Sequence, residues 1–121
     1  MKQYLRKRKD SFKFAFRGIG YLFSHESNAK IHIAAAISVI IAGILFKLTA
    51  WEWCAVSFAI GGVLTAEAFN TAIEKICDKI SPDIDPIIKI VKDVAAGAVL
   101  LFVLSAIAIG LIIFIPKIFG L

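Results

Sequence analysis

Charge is scarce in this sequence: 19% of its 121 residues are Asp, Glu, Lys or Arg, whereas 60% are hydrophobic and the mean hydropathy is +0.85. Soluble domains are about half apolar, so this balance excludes an ordinary water-soluble domain and predicts an integral membrane protein. Cysteine is scarce too. Cys54 and Cys77 lie in or near one apolar segment with no second pair and no metal spacing, which supports neither a disulfide nor a zinc site and leaves packing as their expected role. The phosphate loops of soluble nucleotide enzymes are missing. With no G-x-x-x-x-G-K-[ST], no kinase glycine loop and no Rossmann fingerprint, any nucleotide site has to be of another kind. A cleavable leader is not expected either, because the first apolar run follows about thirty charged and amphipathic residues without a convincing cleavage pattern. Neither an internal repeat nor a low-complexity segment divides the chain, which reads as one domain over residues 1–121.

What the sequence does contain is three apolar segments, Ile31 to Phe46, Trp53 to Ile73 and Val94 to Ile115, the last with no charge and only Ser105 as a polar side chain. Crossing a hydrocarbon core takes about 20 residues, so the first segment suffices only if Lys30 and Lys47 snorkel. Each segment is expected to be a helix, since lipid-exposed backbone must satisfy its own hydrogen bonds. The fold class is therefore an all-α membrane protein: an amphipathic surface region over 1–28, then membrane helices at about 29–48, 51–80 and 86–116. Within the first region Phe12, Ala15, Phe16, Ile19, Leu22 and Phe23 recur at helical spacing opposite Lys13, Arg17 and Ser24, the pattern of a helix lying in the membrane interface. Phe14 and Tyr21 project from its polar side and need protein partners. The "SPDIDP" linker ends the second membrane helix, with Asp85 placed to cap the next one and Pro86 at its first position. Gly61, Gly62 and the run Ala95 to Ala98 mark places where membrane helices approach closely.

Lysine and arginine set the orientation. Lys2, Arg6, Lys7, Arg8, Lys9, Lys13, Arg17 and Lys30 precede the first span, and Lys75, Lys79, Lys89 and Lys92 lie between the second and third. The positive-inside rule puts both regions, and the N-terminus, in the cytoplasm, with the Lys47 to Trp51 turn and the Lys117 tail outside. The net charge of +5 comes with no nucleic-acid recognition motif, so anionic membrane lipids are the expected partner of the basic run.

Against this apolar background stands one polar stripe. Glu67, Asn70 and Glu74, at offsets of 0, 3 and 7, share a helix face about 10 Å long. An ionised residue costs about 2.5 to 3.5 kcal/mol at mid-bilayer and less toward the interface, so the stripe calls for a partner or a purpose. Glu26, before the first span, and Lys92 and Asp93, before the third, are expected at the same level. Carboxylate oxygens with a lysine suit a bound magnesium nucleotide. Spacing alone also allows a packing role in which Glu74 pairs with Lys92 and Glu67 bonds Asn70 or a neighbouring helix. A rival from another class is ion or proton passage, although the acids cluster on one side and the third apolar segment has none. His25 and His32 receive no role, scattered histidines more often being interfacial than ligands.

The residues "EAFNTAIEKICDKI", followed by "KDVAAGAVLL" and preceded by "AFRGIGYLFSHESNAKIH", resemble the small prokaryotic diacylglycerol kinase and undecaprenol kinase family over nearly the whole chain. The resemblance implies a bacterial cytoplasmic-membrane enzyme with a surface helix, three transmembrane helices and a homotrimeric bundle whose active sites are shared between subunits. Its implied reaction moves the γ-phosphoryl group of magnesium ATP to a lipid alcohol. Carried over by position, Glu67 is the catalytic base, Asn70 its polar companion, Glu74 and Glu26 the metal-nucleotide carboxylates, Lys92 a contact to nucleotide phosphate, and Asp93 its support. Where the diacylglycerol-preferring branch has a second glutamate, this chain has His32; that departure, "LIIFIPKIF" and the "EW" of the second span tilt the expected substrate toward undecaprenol. Three helices also offer too little wall to enclose nucleotide and lipid, so oligomerisation is expected on physical grounds.

Overall fold

The computed structural model describes residues 1–121 and contains four helices, α1 (Lys2–His25), α2 (Ser27–Leu45), α3 (Ala50–Ile80) and α4 (Pro86–Ile118), with no strand. The last three are long and apolar enough to cross a membrane. Helix α1 starts ten residues before the amphipathic pattern of Phe12 begins (12 − 2), because the preceding Lys and Arg residues are good helix formers and no proline interrupts them. It ends at Glu26, a single extended residue (φ −101°, ψ 116°) that also begins α2. Leu22 and Ala29 are buried on either side of this corner. Phe12, Phe16 and Ile19 remain exposed, as suits an apolar face turned to lipid. Of the two aromatics on the polar side, Tyr21 stacks on His25 at 4.3 Å and lies under the Lys75 ammonium of α3 at 5.7 Å. Phe14 carries only Arg17 of its own helix, at 5.5 Å, and stays exposed.

The α2–α3 connection is a four-residue turn, Phe46 to Thr49. Lys47 adopts a left-handed conformation (φ 55°), its N–H donates to Ile44 O at 3.3 Å, and Leu48 N–H donates to Gly43 O at 3.0 Å. This is a Schellman closure, and it folds Leu48 back against Gly43, which also abuts the Trp53 indole so closely that a Cβ at 43 would overlap the ring. Thr49 then opens α3 with a capping box: its hydroxyl accepts from Glu52 N–H at 3.3 Å while its own N–H donates to Glu52 Oε1 at 3.4 Å. Glu52 Oε2 pairs with Lys117 Nζ at 3.1 Å, joining the start of α3 to the end of α4. At the other end Asp85 Oδ1 accepts from Ile87 N–H at 2.8 Å and Ile88 N–H at 3.1 Å, and Pro86 occupies the first helical position.

Helix α3 is the centre of the packing. Its contact with α4 is the most extensive, α2 lies against another part of it, and the backbones of α2 and α4 do not approach closely, although Phe46 at the end of α2 meets the Phe114 ring of α4 edge-on at 6.1 Å. Gly62 lies directly against the Phe102 ring of α4, which a Cβ there would overlap, whereas Gly61 and Gly97 face nothing within 4 Å in the chain. Leu48, Val56 and Ile113 form a small core near the Glu52–Lys117 end. Only 14 of 121 residues are buried, so most of the apolar surface must be covered by lipid or by other protein.

Helix length fixes the depth of the polar stripe. At 1.5 Å per residue, α3, with 31 residues, is about 46 Å long, against a hydrocarbon core of about 30 Å. Counting about 20 residues from the capped, ion-paired start of α3 brings the core boundary to the neighbourhood of Phe69 and Asn70. Glu67 thus sits about a turn inside that boundary and Glu74 about a turn outside it.

Candidate functional site

The stripe on α3 is the most buried polar surface of the chain. Glu67 is 3% exposed, Asn70 8% and Thr71 7%. They fall on the face that α3 turns toward its neighbours because the same 3.6-residue period also buries Val56, Ala59 and Val63 one to three turns earlier.

Glu67 does not bond Asn70. Its Oε1 faces His32 Nε2 of α2 at 3.1 Å, and its Oε2 has no hydrogen-bond partner in the chain. Asn70 turns the other way along its own helix and donates Nδ2–H to Glu74 Oε1 at 3.2 Å. That leaves Asn70 Oδ1 buried without a donor, a state that costs about 1 to 3 kcal/mol unless something outside the chain supplies one. Lys92 of α4 pairs with Asp78 of α3, not with Glu74, though Glu74 lies within its electrostatic reach. Of the bonds expected of a packing role, Glu74 with Lys92 is therefore not made, whereas Glu67 does bond a neighbouring helix, through His32 of α2.

Two further residues stand apart. Asp93 pairs with Lys89 one turn back on α4 at 2.7 Å, both side chains well exposed. Glu26, half-buried at the α1–α2 corner, makes no side-chain hydrogen bond and lies within electrostatic reach of Lys75. No group of three or more His, Cys, Asp or Glu side chains stands close enough within one chain to enclose a metal ion. Magnesium requires less than that: one or two carboxylates suffice when phosphate oxygens and water complete the octahedron. Glu26, Glu74 and the donor-less Asn70 oxygen are hard donors of the required kind, at the end of the molecule where α3 leaves the hydrocarbon core.

Beside the stripe runs an apolar groove of about 250 Å³ between α2, α3 and α4, lined by residues such as Ala35, Ala36, Val56, Ala59 and Gly110. Its one polar lining residue is His32, the same side chain that bonds Glu67. The groove exists because α2 and α4 are each packed on α3 without a close backbone approach to one another, and because the facing positions are small.

Two residues of this polar region carry no role in the sequence pattern, His32, set aside with His25, and Asp78, which the stripe of Glu67, Asn70 and Glu74 does not include. Asp78 lies one turn beyond Glu74, so helical period could have pointed to it. His32 had a weaker signal, its position in the "SNAKIH" segment where a carboxylate was the alternative.

The chain matches the family described as prokaryotic diacylglycerol kinase over residues 13–114. It is 44% identical over 107 residues to an undecaprenol kinase of Bacillus subtilis, a match covering 88% of this chain and 87% of that protein. It is 33% identical over 112 residues to a diacylglycerol kinase of Synechocystis sp., covering 92% of this chain and 64% of that longer protein.

Proposed function

This chain belongs to the prokaryotic diacylglycerol kinase family and is a membrane-embedded lipid kinase; from that premise we propose that it transfers the γ-phosphoryl group of magnesium ATP to the hydroxyl of a membrane lipid alcohol, undecaprenol in preference to diacylglycerol, at the cytoplasmic face. The observation that carries this reading is the buried Glu67, held on a helix long and apolar enough to cross a membrane, beside a groove that is apolar apart from His32; counted along α3, the carboxylate falls about a turn inside the hydrocarbon boundary. A fatty alcohol cannot leave the membrane and a nucleotide cannot enter it, so chemistry between them belongs at that boundary.

In this mechanism Glu67 accepts the hydroxyl proton through the oxygen that has no partner in the chain. The alcohol oxygen bonds to the γ-phosphorus as the bridging bond to the nucleoside diphosphate breaks, and the displaced charge stays on the diphosphate. Asn70 orients Glu74 through their 3.2 Å bond, and its bare Oδ1 is available to a ligand. Glu74 and Glu26 would hold the metal nucleotide, Lys92 would exchange Asp78 for a phosphate oxygen, and Asp93 would keep the start of α4 in place. Bound magnesium offsets negative charge on the transferring group. Most of the gain then comes from holding donor and acceptor at one depth.

Homotrimer formation belongs to the same proposal. Glu26 and Glu74 are not joined within one chain, α2 and α4 leave α3 open between them, and a neighbouring copy is the natural source of the missing wall. The position of His32 and the 44% identity to a protein named undecaprenol kinase favour the one-chain alcohol.

The test is phosphate transfer from labelled ATP to undecaprenol and to diacylglycerol in mixed micelles, with Glu67→Gln as control. Faster labelling of undecaprenol, lost in the control, is expected. Equal turnover of both lipids sinks the preference, and labelling that survives in the control sinks the assignment of Glu67.

A further inference from the structure

We propose that His32 is a positioning residue for Glu67, fixing one carboxylate oxygen so that the other is presented to the acceptor hydroxyl at the head of the apolar groove. The inference rests on the reading of Glu67 as the base. Three observations carry it. The His32 Nε2 to Glu67 Oε1 distance is 3.1 Å, between side chains 35 residues apart on different helices. The carboxylate is buried, and the histidine is its only hydrogen-bond partner in the chain. His32 is also the one polar residue lining the groove, so the imidazole stands between the path open to a lipid chain and the acid that would deprotonate its end.

The chemistry sets the direction of the bond. A carboxylate that is to act as a base is ionised and can only accept, so Nε2 carries the hydrogen and His32 donates, whether the ring is neutral or protonated. The terminal torsion of a glutamate is broad and roughly two-fold. Without the bond the two oxygens exchange freely and the carboxylate plane is undefined; with it, Oε1 is occupied and Oε2 has a fixed direction. A misplacement of about 1 Å at a reacting group can cost on the order of a hundredfold in rate, which is the scale on which such a constraint acts.

Steady-state kinetics of three variants in mixed micelles with the lipid alcohol test this, alongside Glu67→Gln. His32→Leu removes the donor and is expected to lower kcat about tenfold to a hundredfold while leaving the KM for magnesium ATP unchanged. His32→Gln places an amide nitrogen near the position of Nε2 and is expected to restore kcat to within a few-fold of wild type. His32→Asn places its nitrogen near Nδ1, too short to reach, and is expected to stay slow. Wild-type kcat in His32→Leu, with Glu67→Gln inactive, overturns the positioning role while sparing the base; equal rates for the Gln and Asn variants overturn it as well. Activity retained in Glu67→Gln overturns the base assignment itself, and the positioning role with it. Should His32→Leu fail to assemble, the comparison of Gln with Asn, both polar and both amides, still decides.

Discussion

At the scale of single residues, Glu67 and Glu74 share a helix face, yet burial and partners separate them. Glu67, bonded across helices to His32, is expected to be needed for the chemical step. Glu67→Gln should lower kcat by at least about a hundredfold, the usual contribution of a positioned base, and it should leave assembly intact because the amide oxygen can still accept from His32; kinetics and size-exclusion of the same preparation check both. Glu74 bonds only Asn70, and a glutamine at 74 can accept the same Nδ2–H. Glu74→Gln is therefore expected to keep the fold and raise the magnesium concentration required for half-maximal activity, read from a magnesium titration at fixed ATP. The stripe itself was legible in the sequence, because residues at offsets of 0, 3 and 7 share a helix face whatever the tertiary structure. The His32–Glu67 and Lys92–Asp78 pairs were not, since each depends on how one helix is rotated about its axis against another, which no spacing within a helix records.

At the scale of elements, the termini of the helices make the sharpest contrast. Helices α2 and α4 end in the same closure, with a left-handed residue after the cap and a backbone bond from the next residue back into the last turn, Leu48 to Gly43 at 3.0 Å and Leu121 to Pro116 at 2.7 Å. In α4 the left-handed residue is Gly120 (φ 68°); in α2 it is Lys47 (φ 55°). A side chain in that conformation costs about 1 kcal/mol or more relative to glycine. Lys47→Gly is accordingly expected to stabilise the protein by roughly 1 kcal/mol, seen as a higher unfolding midpoint in detergent; a fall would mean that the lysine contributes something beyond its backbone. At the start of α4, Asp85→Ala removes an acceptor from two backbone N–H groups and should cost about 1 kcal/mol. The Asp85–Pro86 start was legible from the sequence because its signal is local. The Gly43–Trp53 contact was not, since a glycine's need appears only when the neighbouring helix is in place. Gly61 and Gly97, which resembled helix-contact positions, face nothing inside the chain.

At the scale of the whole molecule, the governing fact is how little one chain buries. With 14 of 121 residues buried, no close backbone approach between α2 and α4, and a buried Asn70 oxygen lacking a donor, the molecule is a partial structure in a chemical as well as a geometric sense. Lipid tails can cover apolar surface but cannot donate a hydrogen bond to Asn70, and no lipid brings a second carboxylate to the proposed nucleotide site. A neighbouring copy can supply both, which is why the site and the oligomer are expected to form together. If neighbouring copies complete the site, specific activity depends on association and follows mass action. Raising the detergent-to-protein ratio at constant bulk lipid mole fraction should lower the specific activity, and cross-linked oligomer should decline in parallel over the same range. Restoring the original ratio should recover both. Activity that stays constant while cross-linking disappears would show that a single chain suffices, and the open face between α2 and α4 would then have to be closed by the lipid substrate itself.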